Sequence, residues 1–278
     1  MEEKNIKLTL SYDGTDFTGF QFQTNSRTIE GELTKAISAI NKTETTICCA
    51  GRTDSGVHAE GQVVNFFTTK NNMGERNWFM ALNSMLPKDI RILKCEFMPI
   101  AFHARRSAIY REYWYNIVNN DSISALQQRY FSHFPFFKLN EQLLEEYGSI
   151  LIGEHDFSAF CCANDASESK NRYIHSIKVE RQDNIITIKI IANAFLQHMI
   201  RIIVGTMLKL HKENEPKEEM QKILLSCDRN MAGSTYYPKG LTFKKVYYDE
   251  SILKKHYNVP RRTFLEEWFY KNFTIYWY

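Results

Sequence analysis

The chain has 278 residues, 44% of them hydrophobic and 24% charged, with a formal net charge of +3 at pH 7. That length fits one large domain or two medium ones, each able to bury a core, and the composition is that of an ordinary globular chain. A charge so close to balance does not by itself establish nucleic-acid binding, and the clusters Arg105-Arg106, Lys170 with Arg172, Lys244-Lys245 and Arg261-Arg262 serve equally well as solvated faces. The six cysteines form no Cys-x-x-Cys pair, so no metal site is expected. Met1-Glu2-Glu3-Lys4-Asn5 lacks the apolar stretch of a signal peptide and no apolar run spans a bilayer, so a cytoplasmic chain with reduced thiols, away from membranes, is expected.

Residues 6–12 alternate apolar and polar side chains at the period of a half-buried strand. Ile29, Leu33, Ala36, Ile37 and Ile40 then recur at helical spacing behind Thr28, a natural N-cap. Short strands are predicted over 46–50 and 62–68. A helix centred on Trp78, Phe79, Leu82 and Met85 follows and stops before Pro87, and a strand over 90–97 comes next. Further on, the pattern predicts a long strand over 108–118 and a helix over 141–152 capped by Gly153. A hairpin follows, with strands 174–181 and 185–192 around Asp183-Asn184. A helix over 195–210, another with Pro216 in its first turn, and a last strand over 240–248 complete the series. Strands dominate, with helices to cover one sheet face, which gives an α+β class. The expected division is 1–105, 106–249 and an aromatic and basic C-terminal extension, 250–278. That extension has two readings: RNA stacking, or an arm packed on the body or a partner subunit.

Gly51-Arg52-Thr53-Asp54-Ser55-Gly56-Val57-His58-Ala59 sets one carboxylate in a tight corner ahead of an apolar strand. Gly56 reaches backbone angles closed to other residues, so a turn there pushes Asp54 toward a ligand. Arg52 favours an ionised neighbour, and an ionised Asp on such a loop is a candidate nucleophile or base. The competing reading is a polar turn with a surface ion pair. A Ser-His-Asp hydrolase built from Asp54, Ser55 and His58 is disfavoured, because three residues this close converge poorly and Ser55 is in no Gly-x-Ser-x-Gly elbow. Arg201 lies in a predicted helix with almost no polar face, so it needs a carboxylate partner.

The Asp54 segment resembles the signature of the TruA-type tRNA pseudouridine synthases, and other strings match that family in its order. They are Ser11-Tyr12-Asp13-Gly14-Thr15-Asp16-Phe17-Thr18-Gly19-Phe20-Gln21, Phe102-His103-Ala104-Arg105, Arg111-Glu112-Tyr113-Trp114-Tyr115 and Gly153-Glu154-His155-Asp156-Phe157. Asn193-Ala194-Phe195 with His198-Met199-Ile200-Arg201 and Val204-Gly205, then Gly240-Leu241, complete the match. The resemblance implies two similar α+β halves whose largely antiparallel sheets join into one, with helices on one side and a cleft between the halves. It implies isomerisation of uridine at positions 38, 39 and 40 of the tRNA anticodon arm without cofactor or metal, by a homodimer that binds tRNA across both subunits. Asp54 then stands at the catalytic carboxylate, Arg201 is its ion partner, Tyr113 packs against the flipped base, and Leu241 lines the uracil pocket. Arg52 and Arg105 are expected to contact RNA phosphate or sugar. Phe20, Phe22 and Tyr236-Tyr237-Pro238 depart from the family's usual residues, and none of them is expected to touch Asp54, Tyr113 or Arg201. Three alternatives stand beside this reading: a catalytically silent RNA-binding protein, a pseudouridine synthase with a different RNA target, and a nucleoside or glycoside hydrolase. The hydrolase would call for a second acid that the motifs do not supply.

Overall fold

In a computed structural model that describes residues 3–70 and 72–249, the period-two pattern at the N-terminus forms β1 (Lys4–Tyr12), with Ile6, Leu8 and Leu10 wholly buried. β1 pairs antiparallel with β3 (His58–Thr68) on one side and β4 (Ile90–Met98) on the other. β2 (Cys48–Cys49) is a two-residue strand beside β3, shorter than the pattern predicted. The other strands are β5 (Tyr110–Val118), β6 (Ser132–His133), β7 (Gly153–Asp156), β8 (Asn171–Gln182), β9 (Ile185–Ala192) and β10 (Leu241–Tyr247). They form one ten-stranded sheet in the order β4-β1-β3-β10-β5-β9-β8-β7, with β2 beside β3 and β6 beside β5. Two pairings are parallel, β10 with β3 and β5 with β6; the rest are antiparallel, as the α+β reading expected.

β10, the last of the described strands in sequence, occupies the middle. Thr242 and Phe243 face His58 and Ala59 on one side, while Leu241 and Phe243 face Tyr115 and Tyr113 on the other. Leu241, Phe243, Tyr113 and Tyr115 therefore share one buried face.

Helices α1 (Ile29–Asn41), α2 (Glu75–Met85), α4 (Glu141–Ser149), α5 (Met199–Glu213) and α6 (Lys217–Ser226) add their apolar stripes to that core, which runs unbroken from Ile6 to Val246. Each fully buried Leu, Ile or Phe stabilises it by about 1.5–3 kcal/mol. Thr28 caps α1 by accepting from the Gly31 amide, and α2 gives way at Leu86, extended ahead of Pro87. α3 (Ala125–Tyr130) buries none of its residues and is closed by a capping box between Ser124 and Gln127.

Three expectations are corrected. α4 stops at Ser149, and Gly153, at φ 111°, turns the chain into β7 instead of capping the helix. That edge strand reads Gly-Glu-His-Asp, with no apolar alternation to announce it. α5 begins at Met199, not near 195, because His198 takes a left-handed conformation at φ 62°. α3 and β6 are too short to carry a period. Asp183, at φ 53°, makes the hairpin turn where expected. Residues 250–278, whose role the sequence left between RNA stacking and packing, lie outside the described residues. No described helix is long and apolar enough to cross a membrane.

Candidate active site

Asp54 sits in the loop between β2 and β3, in a turn closed by the Val57 amide donating to the Asp54 carbonyl at 3.2 Å. Gly56 takes φ +74° there, the left-handed freedom its sequence position suggested. The loop after β1 forms its front wall. The Phe20 amide donates to the Thr53 carbonyl at 3.0 Å, the Tyr12 and Thr53 hydroxyls share a 2.7 Å hydrogen bond, and Ser55 Oγ donates to the Phe17 carbonyl at 3.1 Å. Gly14 packs so tightly that a Cβ there would stand 2.0 Å from the Val57 carbonyl oxygen. The N-terminal motif is thus the scaffold of the Asp54 motif.

That wall is itself anchored. Asp13 accepts from Thr15 through one oxygen, and from Arg129 Nε (2.6 Å) and the Tyr130 hydroxyl (3.1 Å) through the other. Burial opposes its charge, but these hydrogen bonds win and hold its carboxyl at about 2. The Gly14 amide donates to His58 Nδ1 at 3.1 Å. Nδ1 also lies 3.3 Å from an Asp13 oxygen, but a nitrogen that accepts from Gly14 has no proton to give, so the ring is neutral. Burial lowers the His58 pKa in agreement. With Ser55 turned to Phe17 and His58 to Gly14, the hydrolase triad is not assembled.

Arg201, in the first turn of α5, donates through Nη1 to Asp54 Oδ2 at 2.9 Å and through Nε to the Tyr236 carbonyl at 2.8 Å. The Tyr236 amide returns a bond to the Arg201 carbonyl at 3.1 Å. His198 Nε2 lies 3.7 Å from the same Asp54 oxygen. α5 starts at Met199, so its N-terminal turn, which carries Arg201, lies on the Asp54 side. The expectation that Tyr236-Tyr237-Pro238 stands clear of the three residues is overturned. Tyr236 holds Arg201, and Pro238 Cγ lies 3.1 Å from where a Cβ on Gly56 would be. Phe20 likewise grips the Asp54 loop through its amide.

Tyr113 closes one side. Its ring meets Phe243 at 4.7 Å and Phe195 at 5.1 Å, both edge-on. Phe195 can do this because the left-handed His198 keeps it out of α5. A Cβ on Gly51 would stand 3.2 Å from Phe243 and 3.8 Å from the Tyr113 hydroxyl, so the glycine leaves that side open. Burial pushes the Tyr113 phenol well above its ordinary range, so it carries a proton at any working pH. Leu241 is buried two residues from Phe243 on the same face.

Arg52 and Arg105 are both exposed. Both flank Cys49, whose thiol they draw downward, although burial dominates and pushes it up to about 11. Arg111 is the residue whose role sequence reasoning missed. Buried in β5, it donates to four carbonyls: Ala50 (3.1 Å), Ala108 (3.0 Å), Asn193 (2.6 Å) and Arg105 (2.6 Å). It thereby ties the approach to the Asp54 loop to the segments carrying Arg105 and Phe195. The signal was there in the alternation Arg111, Tyr113, Tyr115, Ile117, which places a guanidinium on the buried face of a strand.

The profile of a family described as tRNA pseudouridine synthase matches residues 9–105 and 149–249. The tRNA pseudouridine synthase A of Brachyspira hyodysenteriae is 42% identical over 246 residues, covering 88% of this chain and 99% of that protein. That of Treponema denticola is 42% identical over 267 residues, covering 94% and 98%. That of Bacillus pumilus is 38% identical over 246 residues, covering 88% and 99%. The chain belongs to the tRNA pseudouridine synthase family and is an isomerase.

Proposed function

We propose that this chain isomerises uridine to pseudouridine at positions 38, 39 and 40 of the tRNA anticodon stem-loop, with Asp54 as the catalytic carboxylate. The observation that carries the proposal is the Asp54–Arg201 pair, 2.9 Å apart. The reaction breaks the bond from N1 of the base to C1′ of the ribose, turns the base, and joins C5 to C1′. C5 loses its proton and N1 gains one, so neither redox chemistry nor an external group is needed.

The target base leaves the helical stack to reach the carboxylate. Arg201 fixes the rotamer of Asp54 and so the position of the carboxylate that bond-breaking uses. Addition to C6, attack on C1′ and removal of the C2′ proton all demand that same placed carboxylate. Tyr113, protonated by its burial, offers a ring face to the base and a proton, not a negative charge. Leu241 lines the apolar side of the pocket, while Arg52 and Arg105 hold phosphates outside it. The enzyme works as a cytoplasmic homodimer in this reading, with one tRNA bound across both subunits.

The test is pseudouridine formation in unmodified tRNA carrying uridine at positions 38 to 40, wild type beside Asp54→Asn, with RNA binding assayed in parallel. Activity abolished by Asp54→Asn while binding persists supports the proposal. Binding without product in the wild type points instead to a silent RNA-binding protein or a different RNA target.

A further inference from the structure

Two exposed aromatic rings stand on the two backbone segments that clamp the Asp54 loop. Phe22 is 61% exposed and Tyr237 is 60% exposed. Phe22 follows Phe20, whose amide binds Thr53 from the front. Tyr237 lies between Tyr236, which holds Arg201, and Pro238, which abuts Gly56. Each ring is therefore within two residues of a contact to the loop or to its arginine.

Both rings are held before any ligand arrives. The Phe22 amide donates to Glu30 at 2.7 Å, and its ring lies over Gly31, where a Cβ would come within 3.5 Å of Cδ2. The Tyr237 carbonyl accepts from the buried Tyr115 hydroxyl at 2.6 Å, and its ring rests edge-on against Tyr236 at 5.2 Å. A fixed ring with a bare face loses little freedom on binding, which is the property of a stacking platform. Extruding one nucleotide leaves its two neighbours each without a stacking partner, and an aromatic face serves any base.

The geometry points to Phe22 and Tyr237 as a pair of stacking platforms, one on each of the two segments that grip the catalytic loop, for the RNA bases that flank the extruded uridine. The inference rests on the proposed tRNA activity and adds to it a grip on the neighbouring nucleotides.

The experiment compares Phe22→Ala, Tyr237→Ala, Tyr237→Leu and Tyr237→Phe with wild type, using unmodified tRNA at several salt concentrations and single-turnover kinetics. Both side chains are exposed, and thermal melts check that the variants fold. Each alanine variant should weaken tRNA binding roughly 5- to 150-fold. The dependence of affinity on salt should not change, because stacking releases no counterions. Tyr237→Phe should match wild type, and Tyr237→Leu should fall with the alanine variant. Wild-type affinity in both alanine variants, or leucine performing as well as tyrosine, overturns the stacking role while leaving the activity standing. A wild type that neither binds nor converts the tRNA overturns the functional proposal and this inference with it.

Discussion

Arg201 meets the Asp54 carboxylate at 2.9 Å across 147 positions of sequence, and the same guanidinium binds the Tyr236 carbonyl at 2.8 Å. Two directed donors fix the carboxylate relative to the C-terminal loop, a task for a planar fork and not for a point charge. On the proposed role of Asp54, Arg201→Lys should lower the single-turnover rate of pseudouridine formation by about 100-fold or more, since it removes a donor that positions that carboxylate. Affinity for tRNA, measured by filter binding, should change little. Equal losses in rate and affinity would show that Arg201 serves binding instead.

Gly14 has no room for a side chain. Because its Cβ would meet the Val57 backbone at 2.0 Å, Gly14→Ala must displace the Asp54 loop. We expect a rate loss of about 100-fold from a displacement on the scale of an ångström. A lower melting temperature should accompany it, and an active, fully stable variant would refute the scaffold role.

Arg111→Lys tests the four-carbonyl hub. An ammonium cannot span Ala50, Ala108, Asn193 and Arg105 at once. Denaturant unfolding should register a loss of about 2–4 kcal/mol. Amide exchange should quicken around residues 50–54 and 193–195. Uniformly unchanged exchange would mean that the hub constrains neither segment.

Tyr113→Phe keeps the packed ring, so stability should stay within about 1 kcal/mol, whereas Tyr113→Ala should cost about 3–5 kcal/mol. If the phenol supplies a proton, the Phe variant should lose roughly 100-fold or more in rate. Burial raises the pKa of Tyr12 and Tyr113 in the folded chain, and that of Tyr236 to about 12, whereas unfolded tyrosines ionise near pH 10. The folded state thus holds more protons above that pH. Stability should be full below about pH 10 and fall as pH rises beyond it. Melting temperatures across that range check the sign.

His58 gives the opposite limb. Its folded pKa is depressed by burial, so the unfolded chain takes up the proton first as pH falls. The stability it contributes is present above about pH 6.5 and lost below. Protonation would also cancel the acceptor that Gly14 uses, so activity and melting temperature should decline together in acid. His58→Gln, which keeps an acceptor without titrating, should flatten that limb.

Much of this arrangement was legible in the chain, because strong periods and buried charges leave traces. β1 and β9 announce themselves by alternation, and Thr28 by its chemistry. An arginine in an apolar helix demanded an acid, and the structure supplies Asp54. What stayed hidden depended on single backbone angles and on tertiary neighbours. Nothing in Gln197-His198-Met199 announces a left-handed residue, so the start of α5 and the freedom of Phe195 were misplaced. Tyr236 acts through its carbonyl, which every residue possesses, so no side-chain reasoning could pick it out. Gly14 was read as part of a motif, but its reason, the nearness of Val57, exists only in three dimensions.

The central position of β10 bears on how the molecule comes into being. β3 and β5 are synthesised long before residues 241–247, yet each pairs with β10 in the finished sheet. Until residues 241–247 are made, the stretches of β3 and β5 that β10 will cover present open edges, the kind of surface on which nascent chains pair wrongly. The loop that seats Arg201 and Gly56 is made just before β10. A product that stops short of β10 therefore has neither a closed sheet nor Arg201 and Gly56 seated around Asp54.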